Sequence, residues 1–215
     1  MFGLAIKDFY VMRKNVTYYF GFLVVYGVLS ACGIFPYSIL AGMVTLVGLM
    51  LPMSSFAYDD QAKWEKFAVS TPAGRRGVVQ GKYLFALLGT LFSAVLVGAI
   101  LTVMTLLGIV ETEAWWEPLA VVGACACVTL LLDSVFLPFL LKYGAEKARL
   151  MSLLVFAVVF GGMALLAFLV EGGFTMPTIP PTVVTLIPLG LVVVTVAALG
   201  VSYAVSLGIY KKKEL

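Results

Sequence analysis

Six times along its 215 residues the chain runs apolar for the length of a bilayer crossing, and little lies between those runs except short loops. An α-helix needs about 20 predominantly apolar residues to cross the hydrocarbon core. Runs of that kind fall near Val16–Ile34, Tyr37–Ala57, Tyr83–Val110, Pro118–Leu141, Leu150–Val170 and Val183–Tyr210. The third and sixth exceed the requirement, so they are expected to tilt or project beyond the hydrocarbon. Hydrophobic residues make up 62% of the chain and charged residues 12%, an apolar excess that a soluble fold has too little interior to hide. The longest polar stretch, Tyr58–Lys82, is too short for a soluble domain. The expected fold is therefore an all-α membrane protein of six transmembrane helices, with residues 1–215 forming one domain.

Several chemistries drop out at once. The chain has no histidine, which removes histidine-ligated haem or zinc and any Ser-His or Cys-His catalytic pair. No Ser-Lys or paired-Asp arrangement lies at membrane depth, so an intramembrane hydrolase is not expected. Cys32, Cys125 and Cys127 all sit inside apolar runs, where free cysteine behaves as a small hydrophobe, and no disulfide is expected. Lys7, Asp8, Arg13 and Lys14 interrupt the opening apolar residues and no small-x-small cleavage site follows, so a retained amino terminus is expected. Gly81-Lys82 superficially suggests a phosphate-binding loop, but Tyr83 replaces Ser or Thr and Arg76 stands where the leading glycine belongs. ATP and Mg, if used, must therefore bind a different subunit, and no cofactor is expected here.

The basic residues orient the spans. Lys7, Arg13 and Lys14 precede the first run, and Lys63, Lys66, Arg75, Arg76 and Lys82 separate the second from the third. Lys142, Lys147 and Arg149 separate the fourth from the fifth, and Lys211, Lys212 and Lys213 follow the sixth, which accounts for all 14 Lys and Arg. The other side has Phe35-Pro36, Glu111–Glu117 and Glu171–Thr182, with glutamates and no basic residue. Basic loops mark the cytoplasmic side, which predicts cytoplasmic termini. Trp115 and Trp116 suit the outer aromatic belt.

Within Tyr58–Lys82, Asp59 and Lys63 stand at i,i+4, and Trp64, Phe67 and Ala68 form an apolar stripe at helical spacing. The pattern predicts a short amphipathic helix along the membrane, ended at Ser70-Thr71-Pro72. It is either a docking helix for a cytoplasmic partner or a solvated loop that only fixes topology. Met1–Lys14 mixes Phe2, Ile6, Phe9 and Tyr10 with basic residues, which suits an amphipathic amino-terminal helix in the interface or the start of the first span. Asp133 is the one ionisable residue deep inside a run. It costs roughly 2.5–3.5 kcal/mol on insertion scales, so it lines a polar translocation path or hydrogen-bonds near Ser134 and a break expected at Pro138. Small residues recur as Thr90, Ala94, Gly98 and Thr102, and as Gly200, Ala204 and Gly208, which permits close helix approach, chiefly within the chain. Gly172-Gly173 with Pro177, Pro180 and Pro181 predicts a stiff outer turn.

The stretch Tyr58-Asp59-Asp60-Gln61-Ala62-Lys63-Trp64-Glu65-Lys66-Phe67, then Ser70-Thr71-Pro72, Arg75-Arg76 and Gly81-Lys82-Tyr83-Leu84, carries a resemblance. With the topology, it resembles the membrane subunit of a type-2 ATP-binding-cassette exporter, and within that group it is similar to the permease of phenol-soluble-modulin peptide exporters. Ala73-Gly74 departs from the bulkier residue and serine commoner there. The resemblance implies a coupling helix in which Lys63, Trp64, Glu65, Lys66 and Phe67 sit in a groove of a cytoplasmic ATPase. It also implies two ATPase copies, a second permease copy, and residence in a bacterial cell membrane. The apolar walls suit a hydrophobic or amphipathic substrate, such as a toxin or antimicrobial peptide, and no nucleic acid. Two other readings stay open: a nonenzymatic membrane interaction or immunity protein, and a proton-coupled carrier resting on Asp133.

Overall fold

The structure is a computed structural model, and it describes residues 2–64, 67–68, 74–110, 114–171 and 181–212. Five helical runs account for nearly all of them: α1 (Phe2–Ala31), α2 (Tyr37–Gln61), α3 (Gly74–Leu106), α4 (Glu117–Glu171) and α5 (Pro181–Lys212). Among the described residues, Tyr37–Gln61, Gly74–Leu106, Glu117–Ala148 and Ile187–Lys212 are long and apolar enough to cross a membrane. α3 has 33 residues, about 50 Å at the helical rise, against a hydrocarbon thickness of about 30 Å. The outer turn expected at Glu171–Thr182 falls almost wholly outside the described residues.

Three local expectations change. The amino-terminal stretch is not a separate amphipathic helix: α1 runs unbroken from Phe2, because no proline interrupts it and the isolated Gly3, Gly21 and Gly27 do not stop a helix. Tyr58–Gln61 belongs to α2 and not to a following helix. Pro138 does not break α4, which stays helical through it and is interrupted instead at Gly144, with φ 77 and ψ 174. A Cβ on Gly144 would lie 2.9 Å from Asp60 Oδ2, so glycine supplies both the left-handed φ and the space. The helix survives Pro138 because its missing N–H orphans the Ser134 carbonyl, and Ser202 of α5 donates its hydroxyl to that carbonyl at 2.5 Å.

The opposite end is closed by two matching turns. Gly33 N–H donates to the Ser30 carbonyl and Ile34 N–H to Leu29, while Gly108 and Ile109 repeat the pattern on Thr105 and Met104. Both glycines have positive φ, the Schellman geometry that satisfies the last carbonyls of α1 and α3. Trp115 and Trp116, in the connection that follows α3, are exposed.

Contacts place α2, α3 and α4 at the centre, with α1 against α2 and α3, and α5 against α3 and α4. The approach is closest at Gly48, where a Cβ would meet Thr129 Cγ2 at 2.4 Å and Thr90 Oγ1 at 3.1 Å. Hydrophobic packing divides into two clusters. Val44, Val97 and Leu101 centre one that joins α1 to α4, and Val79, Leu137 and Leu140 centre another that joins α2 to α5 nearer the charged end. Thr90 and Gly98 of the small-residue series pack inside the chain, but Gly200 and Gly208 have nothing within 4 Å. The α5 series is thus not used for packing within the protomer among the described residues.

Gly48→Ala is expected to overpack the α2–α3–α4 crossing by about 1–3 kcal/mol. Adding Thr129→Ser, which removes the clashing methyl but keeps the hydroxyl bonded to the Cys125 carbonyl, should restore most of the lost thermal stability in detergent.

Candidate functional site

All the ion pairs between helices, and most of the polar contacts with them, fall toward one end of the bundle, where α2 stops. Three consecutive residues there reach three different helices. Tyr58 donates its hydroxyl to Asn15 Oδ1 on α1 at 3.3 Å. Asp59 pairs with Lys7 of α1 at 2.6 Å and with Lys82 of α3 at 2.5 Å. Asp60 accepts from the Ala145 N–H at 2.6 Å, and so caps the helix that restarts after Gly144.

The centre of this hub is a charge-balanced tetrad. Lys82 also touches Asp8 at 3.1 Å, and Lys7 touches Asp8 at 2.9 Å. Lys82 donates further to Ser55 Oγ at 2.7 Å and lies 4.7 Å from the centre of the Phe56 ring. Lys82 and Asp8 are buried, with 7% and 4% of their side chains exposed, a placement tolerable only because each ammonium faces two carboxylates and each carboxylate two ammoniums. A cavity of about 20 Å³ beside Asp59, Asp60 and Lys82 has room for one water.

Sequence reasoning missed this arrangement. Asp59 was expected to support Lys63 along one helix, but α2 ends at Gln61 and Lys63 turns into the left-handed region with φ 50. The pair therefore does not form, and Asp59 points across to α1 and α3. The signal that could have found it is the scatter of single charges, Lys7, Asp8, Asp59 and Lys82, at the margins of three apolar runs, where a lone charge needs a partner from a neighbouring helix.

The expected docking residues divide between this hub and solvent. Trp64 is half-buried, with Lys7 Nζ 4.8 Å from its ring centre, and its ring stacks on Phe67 at 6.4 Å. Phe67 is 66% exposed and Lys63 is exposed. Glu65 and Lys66 lie outside the described residues. The segment thus presents one aromatic inward and one outward.

On the other side of α3, Tyr83 organises a second polar cluster. Its hydroxyl lies 2.6 Å from Ser202 Oγ and 2.8 Å from Ser206 Oγ. Since Ser202 spends its proton on the Ser134 carbonyl, the bonds run from Ser206 to Tyr83 to Ser202. Asp133 sits next to this chain, 2% exposed and within electrostatic range of Tyr83, and its Oδ2 has no hydrogen-bond partner among the described residues. The structure does not bring Asp133 together with Lys63, Trp64 or Phe67. The adjacent residues Lys82 and Tyr83 thereby tie α3 to α1 and α2 on one face and to α4 and α5 on the next. Beyond them, Arg75 donates to the Lys211 carbonyl, which joins the start of α3 to the end of α5.

Lys82→Met leaves two carboxylates with one lysine and is expected to cost about 3–5 kcal/mol, read as a large fall in detergent melting temperature or loss of monodisperse protein. Adding Asp8→Asn restores charge balance and should recover much of that loss. Asp60→Ala should cost about 1 kcal/mol through the lost cap and speed hydrogen exchange at Ala145, whereas Asp60→Asn should preserve both.

No curated protein and no solved structure matches the chain. A family model described as ABC-2 family transporter protein matches residues 3–211. Family members are membrane transport components whose ATP hydrolysis lies on a separate subunit, so this is a multi-pass membrane protein with an ATPase partner. A match over almost the whole length, on a bundle of long apolar helices, places the chain in the ABC-2 transporter family.

Proposed function

We propose that the chain is the permease of an ATP-driven exporter in a bacterial cell membrane, working as two permease copies with two ATPase subunits. In this reading six spans cross the bilayer, both termini are cytoplasmic, and the substrate is hydrophobic or amphipathic, a peptide of the toxin or antimicrobial kind. The likeness to phenol-soluble-modulin exporters belongs to this proposal.

The observation that carries it is the joint between the segment after α2 and the rest of the bundle. Trp64 rests on Lys7, and Lys7 is bound to Asp59 and Asp8. A displacement of the segment is therefore felt first by the buried charges that join α1, α2 and α3, and through Asp60 by α4. Phe67 supplies the exposed aromatic that an interface centre favours, with charged residues for its rim. Lys63, Trp64, Glu65, Lys66 and Phe67 together form the coupling segment. The basic residues support a cytoplasmic hub: Lys7, Lys82, Lys142 and Lys211 lie toward the hub end, and such residues favour the cytoplasm.

Asp133 receives a packing role. Its burial among α3, α4 and α5 beside the Tyr83 cluster supports a group that holds helices together more than one that lines a path.

Copurification with an ATPase, followed by peptide-stimulated hydrolysis in liposomes, tests the reading. Phe67→Ala should weaken ATPase association by about 30-fold, as interface anchors do, without lowering permease stability. Trp64→Ala should reduce both coupling and stability. Charge reversal of Glu65 and Lys66 should abolish stimulation without loss of insertion. Asp133→Asn should leave export largely intact, and a proton-driven flux abolished by it would overturn the ATP-driven reading. Unchanged transport and stimulation in all the segment variants would remove the coupling assignment.

A further inference from the structure

A groove of about 480 Å³ opens on the outside of the bundle between α1 and α3, lined by none of the hub charges and by no residue of the Tyr83 cluster. Its walls are apolar throughout: Phe9 and Val16 on one side, Phe85, Leu88, Phe92 and Val95 on the other. The floor is Leu51 of α2, reached because Gly89 has no side chain; a Cβ there would come within 3.0 Å of Leu51 Cδ1. Phe9, Leu88, Phe92 and Val95 are each 45–62% exposed, so the cleft opens sideways, where a membrane protein meets lipid. An apolar cavity of this kind does not hold ordered water. In a bilayer its available filling is hydrocarbon.

Charge separates a specific lipid from bulk lipid. Arg13 falls on the groove stripe of α1, one turn after Phe9 and one before Val16, and Lys14 follows it. Both are exposed, and the ion pairs among the described residues involve neither. Helical side chains lean toward the amino terminus, so the Arg13 guanidinium is carried toward the mouth of the groove near Phe9. Transfer of an acyl chain from bilayer to groove gains little by desolvation, since both are apolar. Selectivity therefore rests on the head group.

We propose that this groove binds an acyl chain of an anionic phospholipid, with its head group held by Arg13 and with Lys14, on the adjoining face of α1, adding to the local positive charge. A second copy of the chain fits the face less well. A two-fold contact centred there would set one concave surface against another and bring each Arg13–Lys14 pair beside its mate. The proposal requires only that the chain is embedded in a membrane; the proposed orientation adds that the lipid belongs to the cytoplasmic leaflet.

Native mass spectrometry of the full chain, released from detergent with equimolar phosphatidylglycerol and phosphatidylcholine of identical acyl chains, tests it. Wild type should retain one lipid with about tenfold preference for phosphatidylglycerol, as expected for one to two basic contacts. Leu88→Trp with Val95→Trp, which fills the groove from its exposed rim, should lose that lipid. Arg13→Gln with Lys14→Gln, at exposed positions that leave packing intact, should keep a lipid but lose the preference. Undiminished binding in the filled variant, or an unchanged preference in the glutamine variant, would overturn the proposal. So would Val95→Cys cross-linking to a second copy in membranes, which would show the groove covered by protein.

Discussion

The arrangement of the hub depends on the need to keep Lys82 charged and partnered inside an apolar bundle. A lysine at the start of a long membrane helix can extend toward water, but here its head turns inward to Asp8, Asp59 and Ser55. The desolvation cost of each ion is several kcal/mol, and the mutual attraction offsets it only where every partner stays in place. That condition fixes the depth of α1 relative to α2 and α3 more sharply than apolar packing does, because apolar surfaces can slide against one another with little change in buried area. Moving α1 along its axis by one turn would part Lys7 from Asp59 and Asp8 from Lys82, breaking two of the four ion pairs and leaving each buried charge with one partner instead of two.

The helical class of the fold was legible because it follows from run length alone: no arrangement other than a helix satisfies the backbone over 20 apolar residues in lipid. Gly33 and Gly108 end α1 and α3 near where the apolar runs end, and the basic residues mark one end of the bundle. What stayed hidden were pairings between helices. Asp59 has a lysine four residues ahead in sequence, and local periodicity naturally joins them. The competing tertiary partners, Lys7 and Lys82, are 52 and 23 positions away, and no local rule ranks them. Pro138 was misread for a related reason: its effect on the Ser134 carbonyl is local, but its remedy, the Ser202 hydroxyl, comes from α5. Of the proposed coupling segment, composition revealed the aromatic pair but not that Trp64 turns toward Lys7 while Phe67 faces outward.

These long-range contacts have a mechanical consequence. Tyr58, Asp59 and Asp60 form the last full turn of α2, and each holds a different site, so the turn cannot rotate without straining several bonds. The contacts of Tyr58 and Asp60 are single hydrogen bonds, the first at 3.3 Å between neutral groups and the second beside a glycine in the left-handed region. The tetrad is the stiffest, because four ion pairs share its load. At this turn α1, α2 and α3 are thus joined by four ion pairs, whereas the second part of α4 is joined to α2 by one hydrogen bond. In the proposed ATP-driven reading, that contrast would direct motion toward the second part of α4 while α1, α2 and α3 move together.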